Sequence, residues 1–290
     1  MKDETGFLEL FGTMLSGHYS YHNMVGDLVH RLSLDSLTSG ELRMIPALGP
    51  YLVDHERAQL ARAIARYLRK PPVGEENLRC EAVDAFRKLV FGDDARHTRR
   101  FETKDTREKE GHYYSYIPYD ELNFVDVVLL PALTLFTADG KNDHKPRFID
   151  VGSGIGDKVL LAHLLGFKAS GVEYNQDTYS LSKYFLRDWD HIDLYRGDAL
   201  EFGFTDYDVI YMYCPIADSD LMTKLHFRVM DQMPVGSVMI ETLFTGSCEY
   251  DMCERLGIGR KGLRYIYRTG VDSYSAGNHR EFLEWTGQKR

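Results

Sequence analysis

The sequence has 290 residues, of which 43% are hydrophobic and 27% charged, a composition typical of a globular protein rather than a disordered one. Its net charge of −9 argues against nucleic-acid binding led by electrostatics, because such binding relies on basic surfaces. No apolar run reaches the roughly 18 residues that predict a membrane span, and residues 1–10 lack the pattern of a secretory signal. Four cysteines in a chain of this length predict neither a disulfide framework nor a zinc site, so we expect a cytoplasmic protein with reduced thiols.

The first part of the chain, up to about residue 91, has the apolar spacing of amphipathic helices. One helix is expected to end before Pro71 and Pro72, because proline cannot continue a helix. The predicted helices lie within residues 21–32, 40–48, 60–68 and 82–90. This region is either a substrate-selecting cap or dimerisation element, or scaffold that packs beside the rest of the chain. Leucine and alanine stripes of this kind usually form core, which favours the scaffold.

Residues 93–111 are polar, with basic and acidic side chains interspersed, and predict an exposed linker. This mixture of charges favours a solvated face over a nucleic-acid contact. We therefore expect a helical N-terminal region with its linker over residues 1–111 and a second domain over residues 112–290.

The second domain is organised around a glycine-rich turn. Residues 148–151 predict a buried strand, and the apolar spacing over residues 159–165 predicts a helix. Between them lie Gly152, Gly154 and Gly156. Residues 169–172 predict a second strand, which closes on Glu173. Strand, glycine turn, helix, strand and acid form a βαβ unit suited to a nucleotide-like ligand, because glycine lets the backbone approach the ligand and adopt a positive φ.

The spacing of these glycines indicates which kind of nucleotide. A dinucleotide-binding turn usually has the pattern G-x-G-x-x-G, whereas here the third glycine follows the first by four residues and Asp157 comes next. Asp150 lies on the other side of the turn. Carboxylates beside the turn would repel a pyrophosphate but suit a ligand that carries an amino-acid ammonium. An NAD(P)-dependent oxidoreductase is therefore the weaker alternative, also because no Tyr-x-x-x-Lys pair is evident.

The segment from Asp150 to Glu173 resembles motifs I and II of the class I S-adenosylmethionine methyltransferases, with the pattern (D/E)-x-G-x-G-x-G and an acid after the second strand. The resemblance implies S-adenosylmethionine as the cofactor and a Rossmann-like α/β sheet, mostly parallel and with seven strands. Glu173 can accept hydrogen bonds from both ribose hydroxyls. The cofactor contacts implied in this segment are Asp150, Gly152, Ser153, Gly154, Gly156, Asp157, Glu173 and Tyr174.

A third motif follows the next predicted strand. Residues 175–187 predict a helix with Tyr179, Leu181, Tyr184 and Phe185 available for its buried face, and residues 192–195 predict the strand. The sequence Gly197-Asp198-Ala199 then resembles motif III, which implies that Asp198 and the backbone N–H of Ala199 contact the adenine. The alternative is that Asp198 only caps a turn.

Residues 207–213 predict the fourth strand, and the resemblance places motif IV directly after it, facing the reacting methyl group. Tyr213 and Cys214 are therefore the candidate catalytic residues, and Tyr213 is also a candidate cofactor contact. Tyr213 could orient an amine acceptor or only wall the pocket, and packing is favoured for Cys214 because no paired histidine is evident. Members that methylate nucleobases or glutamine often have (N/D)-P-P-(Y/F). This chain keeps one proline and lacks the Asn or Asp, which weighs against such acceptors.

The aromatic segment before the glycine turn provides a further resemblance. Over about residues 110–175 the chain is similar to the non-SET histone-lysine methyltransferases and related bacterial proteins, which carry a Y-x-P lead-in and a V/L-G-S-G-x-G motif. In many class I methyltransferases such a segment folds over the cofactor. The similarity implies that Tyr119 and Glu121 contact the cofactor. The alternative is a helix N-cap with acids placed favourably for the helix dipole.

The C-terminal part is expected to complete the sheet. Residues 222–230 predict a helix and residues 236–243 a fifth strand. Residues 264–268 and 281–285 are predicted to form the antiparallel pair that ends a class I sheet.

We therefore expect an S-adenosylmethionine-dependent methyltransferase that prefers a protein side-chain amine as acceptor, on the lysine-methyltransferase similarity and the acidic charge. A small metabolite or RNA is the alternative acceptor, and a non-catalytic S-adenosylmethionine-binding module is an alternative of another class, since motif IV is degenerate. No general base is evident, and no metal site or membrane partner is expected. His163, His191 and His226 are predicted to be structural or exposed.

Overall fold

The computed structural model describes residues 21–69, 76–91, 124–137, 145–213, 215–216, 218–242, 264–271, 273–277 and 279–285. The chain divides into two compact units, Met1–His97 and Thr98–Arg290. The boundary predicted at residue 111 falls among residues 92–123, outside the described ranges. Of the helices that the structure describes, none has the length and apolar character to cross a membrane.

The first unit is helical, as predicted. Its helices are α1 (Tyr21–Ser33), α2 (Ser39–Leu48), α3 (Asp54–Leu68) and α4 (Glu76–Phe91), with a 3₁₀ turn at Gly49–Tyr51. Helix α1 packs against α3, and α4 packs against both α2 and α3. The predicted apolar stripes form this core, because Leu60, Ile64 and Leu68 are fully buried along one face of α3.

Helix α2 begins at a capping box, a reciprocal pair of hydrogen bonds at a helix N-terminus. The backbone N–H of Glu41 donates to Oγ1 of Thr38 (3.3 Å), and the N–H of Thr38 donates to Oε2 of Glu41 (2.8 Å). Arg31 of α1 donates to the same carboxylate (2.9 Å), which ties the two helices together. Burial would raise the pKa of Glu41, but the bonds from Thr38 and Arg31 hold it below its usual value.

The second unit contains a seven-stranded sheet with flanking helices, which confirms the predicted Rossmann-like α/β fold. The strand order is β3-β2-β1-β4-β5-β6-β7, and β1 to β5 are parallel, whereas β6 and β7 are antiparallel to their neighbours. The strands are β1 (Arg147–Val151), β2 (Lys168–Glu173), β3 (Asp193–Arg196), β4 (Val209–Tyr213), β5 (Val238–Thr242), β6 (Arg264–Gly270) and β7 (Ser273–Gly277). The helices are α5 (Leu130–Thr137), which follows a π-helical segment at Phe124–Leu129, α6 (Asp157–Leu165), α7 (Gln176–Phe185), α8 (Ser219–Gln232) and α9 (His279–Trp285).

Each face of the sheet is covered by apolar side chains. Met222, Leu225 and Val229 of α8 pack in one cluster with Ile210 and Met212 of β4. Aromatic rings fill the other face, where Phe124 lies edge-on to Tyr211 with ring centroids 4.9 Å apart. Strand β1 is therefore covered on both sides, as the continuous apolar run predicted.

Two predictions for this unit are wrong. Residues 281–285, predicted as a strand, lie in α9, and the antiparallel partner of β6 is β7. Phe282 of α9 stacks on Tyr265 of β6 with ring centroids 4.2 Å apart. The predicted buried face of α7 is wrong at Tyr184, which is 60% exposed, whereas Tyr179, Leu181 and Phe185 are partly buried. The helix packs beside the edge strand β3, whose residues are mostly exposed.

Candidate functional site

The turn between β1 and α6 depends on three glycines with left-handed backbone. Their φ angles are +79° at Gly152, +55° at Gly154 and +84° at Gly156. A Cβ at Gly152 would lie 2.9 Å from Cβ of Pro215, and a Cβ at Gly156 would lie 2.7 Å from Cδ1 of Leu186. The turn therefore excludes larger residues by conformation and by space, and Pro215 packs the end of β4 directly against it.

Glu173 joins this turn to the end of β2. The backbone N–H of Gly154 donates to Oε2 of Glu173 (2.9 Å), and the N–H of Asn175 donates to Oε1 (2.8 Å). Burial raises the pKa of Glu173, and these bonds, with one from the backbone of Tyr174, oppose that rise. The carboxylate is thus fixed beside the glycine turn, and its remaining acceptor capacity suits a ligand hydroxyl.

Charged side chains are buried behind the turn. Asp150 of β1 and the adjacent pair Asp157 and Lys158 of α6 are 4%, 2% and 5% exposed, and Nζ of Lys158 lies 2.6 Å from Oδ2 of Asp157. Burial raises the pKa of Asp150 to about 8, a rise that the charges of Asp157 and Glu173 reinforce and that of Lys158 opposes. Lys158 was not a predicted site residue. The sequence feature that could have indicated Lys158 is a pair of charged residues at the start of an otherwise apolar helix.

Ser153, a predicted polar contact within the turn, is also nearly completely buried. Its Oγ has no hydrogen-bond partner within the described ranges. The absence of a side chain at Gly171 makes room for it, since a Cβ there would lie 2.7 Å from Cβ of Ser153. A buried hydroxyl without a partner fits a site that a polar ligand completes.

The third predicted motif lies next to Glu173. The N–H of Gly197 donates to the backbone oxygen of Glu173 (3.1 Å), which brings Asp198 to the same edge of the sheet. Oδ1 of Asp198 accepts a hydrogen bond from the N–H of Leu200 (2.8 Å). Asp198 therefore caps a turn, as the alternative to an adenine contact predicted. Ala199 is partly buried and packs against the core below.

The predicted catalytic position is described only in part. Tyr213 is half-buried at the carboxyl end of β4, paired with Thr242 of β5. Cys214, Tyr119 and Glu121 lie outside the described residues, so their predicted roles stay predictions. Within the part of the chain that the structure describes, no group of three or more His, Cys, Asp or Glu side chains could hold a metal ion.

The described site residues meet at one edge of the sheet. Strands β1 to β4 are parallel, so the glycine turn, Glu173, Asp198 and Tyr213 all follow or close the carboxyl ends of neighbouring strands. Ligands of open α/β sheets bind in the crevice at this edge. The fixed acid suits a ribose, and the buried carboxylates suit a positive charge.

A second buried charge cluster, missed by the sequence analysis, lies between α8 and the sheet. Nε2 of His226 contacts Oε1 of Glu241, and Arg264 donates to Oε2 of the same carboxylate (2.6 Å). All three side chains are buried. Glu241 and Arg264 are register partners on β5 and β6, a proximity that no local sequence pattern indicates. His226 is structural, as predicted.

No protein-family model matches the chain, and a comparison with curated proteins finds no match. Solved structures of methyltransferases are similar to part of it. An RNA methyltransferase from Salinibacter ruber, in complex with S-adenosyl-L-homocysteine, is 18% identical with a TM-score of 0.36, over 43% of this chain and 76% of that one. Precorrin-6y C5,15-methyltransferase from Geobacter metallireducens is 13% identical with a TM-score of 0.35, over 51% of this chain and 77% of that one. The CcbJ methyltransferase from Streptomyces caelestis is 12% identical with a TM-score of 0.31, over 38% of this chain and 47% of that one.

Proposed function

We propose that this chain is an S-adenosylmethionine-dependent methyltransferase. The observation that carries the proposal is the partly buried carboxylate of Glu173, held by the N–H of Gly154 within a turn of three left-handed glycines. This arrangement offers ribose-binding oxygens next to the glycine turn. The third glycine follows the first by four residues instead of five, and Asp150 and Asp157 flank the turn, which makes a dinucleotide with its pyrophosphate the poorer fit.

The proposal gives roles to several of the described residues. Glu173 would hold the ribose hydroxyls, Asp198 and the N–H of Ala199 the adenine, and the glycine turn with Asp150 the amino-acid portion. The cofactor supplies a methyl group on a sulfonium, which departs as a neutral thioether. Tyr213 lies at the strand end that would border the acceptor. The protein's main task is to align acceptor and methyl group, which alone can lower a barrier by several kcal/mol, roughly 7 to 11 at best.

We propose a protein side-chain amine as the acceptor. The net charge of −9 favours a cationic partner, and the lead-in segment with its glycine motif resembles the lysine-methylating type. RNA and small metabolites are the alternative acceptors. Binding of RNA would need a local basic surface, and the negative net charge of the chain does not favour such a surface.

The test is methyl transfer from methyl-labelled S-adenosylmethionine to three separate acceptor fractions: protein, protein-free RNA and small metabolites. We expect label in the protein fraction, on lysine, and at low cofactor concentration much less label with a Glu173→Ala variant. Label in RNA or in metabolites would replace the proposed acceptor. If the wild-type protein binds the cofactor but labels no fraction, the non-catalytic binding module is the better account.

A further inference from the structure

Gly171 lies within strand β2 and has no role in the function proposed above. Glycine weakens a strand, because its backbone loses the most freedom on folding and it has no side chain to pack, and it often marks the close approach of another part of the chain. The φ of Gly171 lies outside the left-handed region, so the backbone itself would accept alanine. The glycine is therefore required for space and not for its conformation.

The side chain of Ser153, in the glycine turn, occupies the space beside Gly171. A Cβ on Gly171 would lie 2.7 Å from both Cβ and Oγ of Ser153 and 2.9 Å from Cγ2 of Val159. Ser153 is 3% exposed and Val159 is fully buried, so neither side chain can turn out into solvent. Because carbon atoms in contact are about 3.5–4.0 Å apart, an added Cβ must displace Ser153, and with it the turn, by roughly 1 Å.

Three consecutive residues of β2 contact the glycine turn. Gly171 lies against the side chain of Ser153. The backbone oxygen of Val172 accepts the N–H of Ser153 (3.0 Å), and the carboxylate of Glu173 accepts the N–H of Gly154 (2.9 Å). The close approach at Gly171 thus brings the turn to the position in which it bonds to Val172 and Glu173.

We propose that Gly171 is a positioning residue, which sets the distance between the glycine turn and the carboxylate of Glu173. The inference rests on the proposed function, in which the turn holds the amino-acid portion of the cofactor and Glu173 holds the ribose. One ligand must reach both, so their separation determines whether both contacts form at once. A displacement of roughly 1 Å exceeds the tolerance of about 0.5 Å within which the groups of a binding site must be held.

The test compares the affinities of S-adenosylhomocysteine and 5′-methylthioadenosine, which lacks the amino acid, by titration calorimetry. Gly171→Ala should weaken binding of S-adenosylhomocysteine roughly tenfold more than binding of 5′-methylthioadenosine, because only the first ligand has to reach both the turn and Glu173. An effect on folding alone would lower both affinities by the same factor. The control is Gly203→Ala, where the added Cβ meets nothing within 4 Å, and it should bind both ligands like the wild type.

A second variant removes the side chain that the added Cβ would displace. Ser153→Gly deletes the two atoms that lie 2.7 Å from that Cβ, so Gly171→Ala should cost much less affinity in a Ser153→Gly background than in the wild type. Both costs are measured within one background, so a contact between Ser153 and the ligand does not affect the comparison. If Gly171→Ala alone fails to fold, the double variant should recover folding and binding.

Several results would overturn the inference. Unchanged affinities in Gly171→Ala, equal losses for the two ligands, or equal losses in the two backgrounds would show that Gly171 does not position the turn for the ligand. A double variant that recovers neither folding nor binding would show the same. If the wild-type protein binds neither ligand, the proposed function itself fails, so the two failures are distinguishable.

Discussion

Gly156 carries the strictest backbone requirement of the site. Its φ of +84° disfavours any side chain, and a Cβ would lie 2.7 Å from Cδ1 of Leu186. We predict that Gly156→Ala lowers the free energy of unfolding by about 1–3 kcal/mol, measured by urea denaturation. The matched control is Gly203→Ala, since a Cβ at Gly203 meets nothing within 4 Å. Equal stability of the two variants would contradict the described geometry of the turn.

Glu173 is the residue on which ligand binding should depend most. We predict that Glu173→Ala weakens S-adenosylhomocysteine binding about 10-fold to 100-fold, because hydrogen bonds to a charged group contribute about 1.5–3 kcal/mol. Glu173→Gln should lose less, since its amide oxygen can still accept the N–H of Gly154. Titration calorimetry measures both variants, and Glu201→Ala, at an exposed acid, is the control. Unchanged affinity in Glu173→Ala would show that the acid is assigned to the wrong role.

The glycines and acids of the site could be predicted from sequence because they lie within one continuous pattern from Asp150 to Glu173. The side chains that contact these residues could not be predicted from the sequence. Pro215 and Leu186 approach the turn from distant parts of the chain, and the pairing of Lys158 with Asp157 inside the core depends on burial, which spacing does not encode. The local pattern predicted the glycine turn and its acids, whereas the fold determines which side chains pack against them.

At the scale of secondary structure, the strands of the parallel sheet and the helices between them were predicted because their apolar runs are long and regular. Prediction failed at the ends of the sheet. Residues 281–285 were predicted as a strand but form α9, in which Phe282 stacks on Tyr265 of β6. Tyr184 was wrongly predicted on the buried face of α7, which packs beside the mostly exposed edge strand β3.

The buried cluster of His226, Glu241 and Arg264 joins α8, β5 and β6. We predict that Glu241→Ala lowers the free energy of unfolding by about 3–5 kcal/mol, because it leaves the Arg264 charge buried without its carboxylate. Glu284→Ala, which removes an exposed ion pair with Arg280, should cost at most about 0.5 kcal/mol. Denaturant unfolding measures both. A small effect in Glu241→Ala would mean that water reaches this cluster.

The same cluster should make stability depend on pH. Burial lowers the pKa of His226, with Glu241 opposing and Arg264 reinforcing the shift. The unfolded chain therefore takes up a proton near pH 6.5 that the folded chain does not, and stability falls as pH decreases below that value. We predict that His226→Asn reduces the loss of stability between about pH 7.5 and about pH 5.5, relative to wild type and to the exposed control His191→Asn. Identical pH slopes in all three proteins would exclude His226 as the cause.

At the scale of the whole molecule, the two units have separate hydrophobic cores, one built from helices α1 to α4 and the other from the sheet and its helices. The class of each unit could be predicted, because helical spacing and the alternation of strands and helices differ clearly in the sequence. The role of the N-terminal unit, as scaffold or as substrate-selecting cap, stays a prediction. Composition indicates that it folds but carries no residue pattern that specifies a partner.

The central claim is that the glycine turn and Glu173 bind S-adenosylmethionine. The most direct measurement is the thermal melting of the wild-type protein with S-adenosylhomocysteine, NAD or ATP. A ligand at about 100 times its dissociation constant adds about 2.7 kcal/mol to the folded state, which is easily detected as a higher melting temperature. We predict a shift with S-adenosylhomocysteine alone. A shift with NAD alone would contradict the argument from glycine spacing and, with it, the methyltransferase function.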